Sequence, residues 1–357
     1  MFNLNIEDAC DFVEFTERID VVEPLQEFTM LRRNPRHDEE IALYKRDYRR
    51  DYLDKIEEAV RKNLLMQYVR YLESANRQGA SLEMEINFLS DRLDVELEEL
   101  RGAARPTDGD FGEAFPHSPE EIEALKKSLP RRFDWRRRGG VTHVRHQKCE
   151  ACWAFATVGA VEGALFVETG RLVPLNEQAI IDCAMPGRKC KPWWPSRAYS
   201  YIKDRGLPAL DEYTPHQNQT LTCRADSVPS VTHISGYVNI TNDPTALKVA
   251  IMKYGPVVVL MDVSPTTFKG IKKGTVFQDD NCNKEKPNHA MIAVGWEVFR
   301  NKDCFILKNS WSSHWADSGF VRVRVSNNTC GMLNMATYPR LRYQDVRRLP
   351  TKLPVSP

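Results

Sequence analysis

Eight of the nine cysteines in this chain fall between Cys149 and Cys330, and only Cys10 lies outside. Such a concentration predicts disulfides in that half and an oxidising compartment. At 357 residues the chain can bury one large core or two moderate ones. A net charge of +1 gives no global field for nucleic acid or an anionic membrane. No unbroken run of eighteen apolar residues appears, so no transmembrane helix is expected. The opening Met1 to Asp8 lacks both a basic and an apolar region, so no signal peptide is visible. That sits awkwardly with the cysteines and with acceptor sequons at Asn218, Asn239 and Asn327 in the same half.

The first third reads differently. Residues 1–37 show no period and are expected to form an arm of unassigned role. From Asp38 to Asn76, Ile41, Tyr44, Tyr48, Tyr52, Ile56 and Val60 recur every three or four residues amid mixed charge, continued by Leu64, Tyr68 and Leu72. This predicts one long helix or two, with a narrow apolar stripe. Leu82 to Asn87 alternates like a short strand, and Asp91 to Arg101 returns to helix. Gly102 to His117 reads as extended linker. Ser118-Pro119-Glu120-Glu121 is a capping box for a short helix that Pro130 ends. From Phe133 the texture changes. Helices are expected over Cys152–Thr169, Asn176–Ile181 and Ser196–Asp204. Strands follow at Pro256–Leu260, Ala290–Trp296, Phe305–Leu307 and Phe320–Val325. Arg340 to Pro357 is basic and proline-rich and reads as a poorly ordered tail.

Chemistry concentrates in Gln147-Lys148-Cys149-Glu150-Ala151-Cys152-Trp153-Ala154-Phe155. Cys152 opens a helix, where the dipole favours thiolate, the nucleophilic form. Three other readings compete. The pair is a structural Cys couple, or a redox C-x-x-C (which wants a βαβ context that is missing), or part of a metal site with His143 and His146. A thiolate nucleophile needs a base and a group that orients it. His289, at the head of a buried strand, and Asn309, beside Trp311, are candidates, although each alone is uninformative.

Asp134-Trp135, Gln147…Cys149…Cys152-Trp153-Ala154-Phe155, Asn176-Glu177-Gln178…Asp182-Cys183, Asn288-His289-Ala290, Lys308-Asn309-Ser310-Trp311 and Cys330-Gly331 occur in one order and spacing. In this the chain resembles papain-like cysteine peptidases of the cathepsin L branch over residues 129–340. Upstream, Glu57, Arg61, Leu65, Leu72 and Asn76, then Asn87, Leu89 and Asp91, resemble the motifs of that family's inhibitory propeptide, with Tyr68 departing. The resemblance implies an α+β, papain-like fold: a helical left domain and a β-barrel right domain meeting at a cleft, behind a helical propeptide. It implies an arm at 1–37, propeptide at 38–101, a linker through the cleft at 102–129, peptidase at 130–340 and a tail at 341–357. Cys152 would be nucleophile, His289 base and acid, and Asn309 its orienter. Gln147 and the Cys152 backbone N–H would form the oxyanion hole. Implied disulfides are Cys149–Cys190, Cys183–Cys223 and Cys282–Cys330, which leaves Cys10 and Cys304 free and removes Cys149 from redox or zinc roles. Trp194, Pro195, Leu260, Ala290 and Met335 would line an apolar P2 pocket, with Trp193 and Trp311 also at the substrate. No metal or cofactor is implied. The expected partners are peptide or protein substrates and the chain's own propeptide, acting on a monomer in a lysosomal or secreted setting.

Three departures bear on activity. Only Lys148 separates Gln147 from Cys149 where the family has two residues, so counting back from Cys152 puts His146 in the oxyanion position. Glu150-Ala151 replaces Gly-Ser and brings a negative charge near Cys152. Lys191-Pro192-Trp193 replaces Asn-Gly-Gly, predicting narrowed non-primed subsites. The reading is therefore a cysteine endopeptidase made as a zymogen. The alternative is a catalytically weakened homologue that binds. Acid is expected to loosen the propeptide, with processing near Pro130 at Arg131-Arg132.

Overall fold

The structure is a computed structural model, and it describes residues 35–77, 82–103, 112–184 and 190–350. The arm at 1–34, Cys10 and residues 351–357 lie outside the described residues. The described chain divides into two compact units: 35–77 with 85–94, and 82–84 with 95–350.

In the first unit the stripe resolves into two helices, α1 (Pro35–Asp47) and α2 (Lys55–Arg77). Ile41, Tyr44, Leu65, Met66 and Val69 form their shared core. The tyrosines do more than fill it. The Tyr44 hydroxyl donates to Asp91 Oδ1 at 2.8 Å and the Tyr52 hydroxyl to Oδ2 at 3.1 Å. Tyr48 donates to the Ile86 carbonyl at 3.0 Å, and Arg50 pairs with Asp91 at 3.1 Å. Asp91 is 2% exposed, so these partners compensate its lost hydration. Arg61, also buried, pairs with Glu57 one turn back at 3.2 Å and donates to the Asp91 carbonyl at 3.0 Å.

The second unit opens with the segment expected to be a strand. It makes a single bridge instead, Met84 to Ile271, supported by Lys272 N–H to the Glu83 carbonyl at 3.1 Å. The helix expected over Asp91–Arg101 contracts to α3 (Asp94–Glu98). The linker also differs from expectation. Residues 100–103 cross the site, but β1 (Glu113–Ala114) pairs in parallel with β3 (Gly236–Ile240) and α4 (Pro119–Lys126) packs on α8 (Pro244–Tyr254). So 112–129 runs along the body of the unit. Ser118 caps α4 in the expected capping box.

β2 (Phe133–Asp134) pairs with β6 (His289–Phe299). Then come α5 (Cys152–Thr169), α6 (Glu177–Cys183, capped by Asn176) and α7 (Pro195–Arg205). Beyond them lie β4 (Val257–Met261), α9 (Thr266–Lys269), β5 (Val276–Phe277), β7 (Lys302–Lys308), β8 (Phe320–Arg324) and β9 (Ala336–Arg340). The sheet runs β1-β3-β9-β4-β6-β7-β8-β5, with β2 on β6. The described pairings leave its ends unjoined, so the expected barrel is an open sheet. α5 lies against β6 and the start of β4. A Cβ on Gly163 would fall 2.3 Å from Pro256 Cδ, so only glycine permits this approach. Among the described residues α5 is the helix long and apolar enough to span a membrane; burial of its sides in the core accounts for that apolarity.

The tail does not stay loose through its described part. Thr232 bridges Val346, and Arg347 N–H donates to the Val231 carbonyl at 2.8 Å. Leu341, Val346 and Leu349 pack on the main core. Its apolar residues, scattered among arginines, hid this from composition.

Candidate active site

Cys152 begins α5 with 0% exposure, and no side chain caps that helix terminus. Its thiol receives backbone N–H groups from Trp153, Ala290 and Gly102, the last at 3.1 Å. These favour a thiolate, yet burial dominates and pushes the thiol up to about 12. Ala290, whose N–H reaches the thiol, directly follows His289 at the head of β6.

His289 is fully buried, and its Nε2 bonds Asn309 Oδ1 at 2.8 Å. An amide oxygen can only accept, so Nε2 carries the proton and Nδ1 holds a lone pair. That Nδ1 has no hydrogen-bond partner among the described residues. Burial holds the imidazole down at about 4, with Arg101 nearby adding to the effect. Trp311 covers the ring at 4.9 Å between centroids and is itself wedged among Phe268 and Trp315.

The segment from Leu100 to Ala103 fills the cleft. The Leu100 carbonyl accepts from Gln147 Nε2 at 3.1 Å and from Trp311 Nε1 at 3.3 Å. The Gly102 carbonyl accepts from Trp193 N–H at 2.9 Å, and Ala103 N–H donates to the Asn288 carbonyl at 3.1 Å. A Cβ on Gly102 would stand 1.9 Å from the Glu150 carbonyl oxygen, so the strand fits only with glycine there.

The departures resolve locally. Gln147, not His146, faces the site. Gln147 N–H donates to the Ser310 carbonyl at 2.8 Å, its Oε1 accepts from Ser310 Oγ at 2.6 Å, and its Nε2 also donates to the Cys149 carbonyl at 2.8 Å. His146 is exposed and pairs through its backbone with Trp311. Glu150 is neutralised by Lys191 at 3.0 Å and is the weakest of the influences on Cys152. Trp193 turns its indole edge-on to Trp153, 5.2 Å away, and leaves its backbone to pair with Ala103. The expected narrowing is therefore not imposed by its ring on the strand's hydrogen bonds.

Leu260 and Ala290 are cross-strand partners, and Leu260 N–H bonds the Met335 carbonyl at 3.1 Å. Trp194 and Pro195 start α7, and Trp194 shares the core cluster with Leu260, Ala290, Met335 and Ala103. Disulfides join Cys149–Cys190, Cys183–Cys223 and Cys282–Cys330. The first of them excludes Cys149 from a metal or a redox pair with Cys152. Cys304 is a buried thiol away from the site. Sequence reasoning missed the Leu100 carbonyl, Gly102 and Ser310. The Gly-Ala-Ala run of small residues after Arg101 was a signal for close backbone approach; Ser310 carried none.

The papain family cysteine protease model matches residues 129–340. Digestive cysteine proteinase 1 of Homarus americanus is 32% identical over 308 residues, 83% of this chain and 92% of its own length. The structure of digestive procathepsin L 3 of Tenebrio molitor larval midgut matches with TM-score 0.73 at 31% identity, covering 85% of this chain and 99% of that one. Bromelain from Ananas comosus in complex with the E64 inhibitor matches with TM-score 0.55 at 34% identity, covering 60% of this chain and all of that one.

Proposed function

Because this chain belongs to the papain family of cysteine proteases, we propose that it is an endopeptidase made as a zymogen, with Cys152 as nucleophile, His289 as base and Asn309 as orienter. The observation that carries this reading is the polarity of the His289–Asn309 bond, which puts the ring proton on Nε2 and the lone pair on Nδ1. In the uncovered site Nδ1 takes the thiol proton. Sulfur attacks the scissile carbonyl, and negative charge builds on its oxygen. The Gln147 amide and the Cys152 N–H stabilise that oxygen. His289 then protonates the leaving amine, and water hydrolyses the thioester with the same imidazole as base. The Leu100 carbonyl, bonded to Gln147 and Trp311, stands in for a substrate carbonyl in the resting state.

Residues 38–103 act as the chain's own inhibitor, with Gly102 laid over the thiol. Trp194, Pro195, Leu260, Ala290 and Met335 select an apolar P2 side chain. Processing falls at the exposed Arg131 and Arg132, next to Pro130, whose carbonyl accepts from Trp296 Nε1 at 3.1 Å. The three disulfides support a secretory or lysosomal route, and the mature enzyme works as a monomer on peptides and proteins. The bonds of Gln147 argue against a weakened, merely binding homologue. The test is hydrolysis of a peptide amide with leucine or phenylalanine at P2 after acid conversion. Cleavage by the wild type, lost on Cys152→Ala, supports the proposal; cleavage that survives Cys152→Ala overturns it.

A further inference from the structure

His216 has no part in the chemistry above, yet both its ring nitrogens are engaged. Lys148 N–H donates to Nε2 at 3.0 Å, so Nε2 carries a lone pair. The proton therefore sits on Nδ1, which donates to Gln178 Oε1 at 3.0 Å. Gln178 is fixed in turn on α6, its Nε2 donating to Asp182 Oδ1 at 2.7 Å and to the Gln219 carbonyl at 2.8 Å. Phe155 of α5 meets the ring edge-on at 5.0 Å. Lys148 is the single residue between Gln147 and Cys149, where the chain is one residue shorter than the family pattern. The loop must run from a Gln147 tied to Ser310 to a Cys149 tied by its disulfide. Its middle peptide donates to His216, which Gln178 ties in turn to α6.

We propose that His216 is a positioning residue for the shortened oxyanion loop, clasping the Lys148 peptide to α6 so that the Gln147 amide stays aimed at the substrate carbonyl. This deepens, and rests on, the peptidase reading. The clasp works only with a neutral ring, since a protonated Nε2 would oppose the Lys148 N–H. Phe155 and Gln178 face the ring without charge, and Asp182 is engaged by Gln178. Burial first, then Lys148, His146 and Arg145, hold the imidazole down at about 3, so the clasp persists through the acid range in which the linker is released.

The test compares linker-free wild type, His216→Asn, His216→Phe and His216→Gln. Asn keeps a donor for Gln178 and loses the acceptor for Lys148; Phe keeps the ring shape; Gln restores an acceptor near the Nε2 position. Two rates are read: kcat and KM on a peptide amide, and alkylation of Cys152 by iodoacetamide, which develops no oxyanion. Loss of a correctly held oxyanion donor predicts kcat falling about 100-fold in the Asn and Phe variants, KM within about twofold, and recovery in Gln to within about fivefold of wild type. Alkylation stays at the wild-type rate throughout. Unchanged kcat in the Asn and Phe variants overturns the proposal, and so does a parallel fall in kcat and alkylation, which marks a purely structural role. A wild type that is alkylated but never cleaves, or does neither, overturns the peptidase reading itself.

Discussion

Gln147 keeps its aim through a one-residue deletion because its backbone and side chain are both tied to Ser310. The shortening is taken up at Lys148, while His146 turns outward. Counting residues back from Cys152 points to His146, whereas the hydrogen bonds turn Gln147 inward, since register and not sequence distance sets which side chain faces the cleft. Gln147→Ala should lower kcat on a peptide amide by roughly 100- to 1,000-fold with little change in KM. Cys152 alkylation should be unaffected, and a joint loss of both activities would contradict the assigned role. The proposed set of Cys152, His289 and Asn309 came from the resemblance, and the structure adds the 2.8 Å bond of His289 Nε2 to Asn309 Oδ1. Their electrostatics were not legible in the sequence. The dipole of α5 favours thiolate at Cys152, yet the covering strand removes water and burial prevails, so the thiol rises to about 12 and His289 falls to about 4.

The proposed inhibition depends on residues 100–103. Gly102 passes so close to Glu150 that Gly102→Val should expel that segment. Purified zymogen of this variant should show Cys152 alkylation and self-conversion at neutral pH, where wild type stays inert; an inert variant would contradict the account. The same segment makes release acid-dependent. Covered, His289 resists protonation until about pH 4; uncovered, an imidazole protonates near its ordinary value of about 6.5. Protons therefore favour the uncovered state. The hold contributed by neutral His289 is full above about pH 6.5 and declines as pH falls towards 4. The conversion rate should rise as pH falls through that window, and His289→Gln, in a Cys152→Ser zymogen cleaved in trans by wild type, should flatten the rise. A profile unchanged by His289→Gln would assign the acid sensor elsewhere. The sequence marked a linker by its small residues, but it could not mark where that linker leaves the cleft. Pairing of β1 with β3 and of α4 with α8 depends on surfaces distant in the chain.

Across the whole molecule, the texture break near Phe133 marks where the cysteine-rich sequence begins, whereas the compact units divide near residue 94, ahead of it. The long helix α2 was readable because its apolar stripe recurs every three or four residues, and α5 because its apolar run, buried on nearly all sides, ends at Gly170. The open edges of the sheet and the docking of the tail were not, since both depend on contacts between distant segments. In the first unit, periodicity saw the tyrosines as stripe, whereas their hydroxyls and Arg50 converge on Asp91. Asp91→Ala removes the counter-charge of Arg50 and an acceptor of both phenols, although Tyr44 keeps the Asn87 carbonyl at 3.2 Å and Arg50 the Phe88 carbonyl. It should destabilise the unit by about 3 kcal/mol in denaturant unfolding of the Cys152→Ser zymogen, and a change below about 0.5 kcal/mol would show that Asp91 is no hub.

Cys152 as a nucleophile held off by residues 100–103 of its own chain makes a direct chemical prediction. It is tested most directly by adding E64, the inhibitor held by the related bromelain, before and after acid conversion, and locating the adduct by mass spectrometry. The account predicts no adduct on the intact zymogen and one adduct on Cys152 after conversion, lost in Cys152→Ser. An adduct confined to Cys304, or none on converted protein with its three disulfides intact, would contradict it.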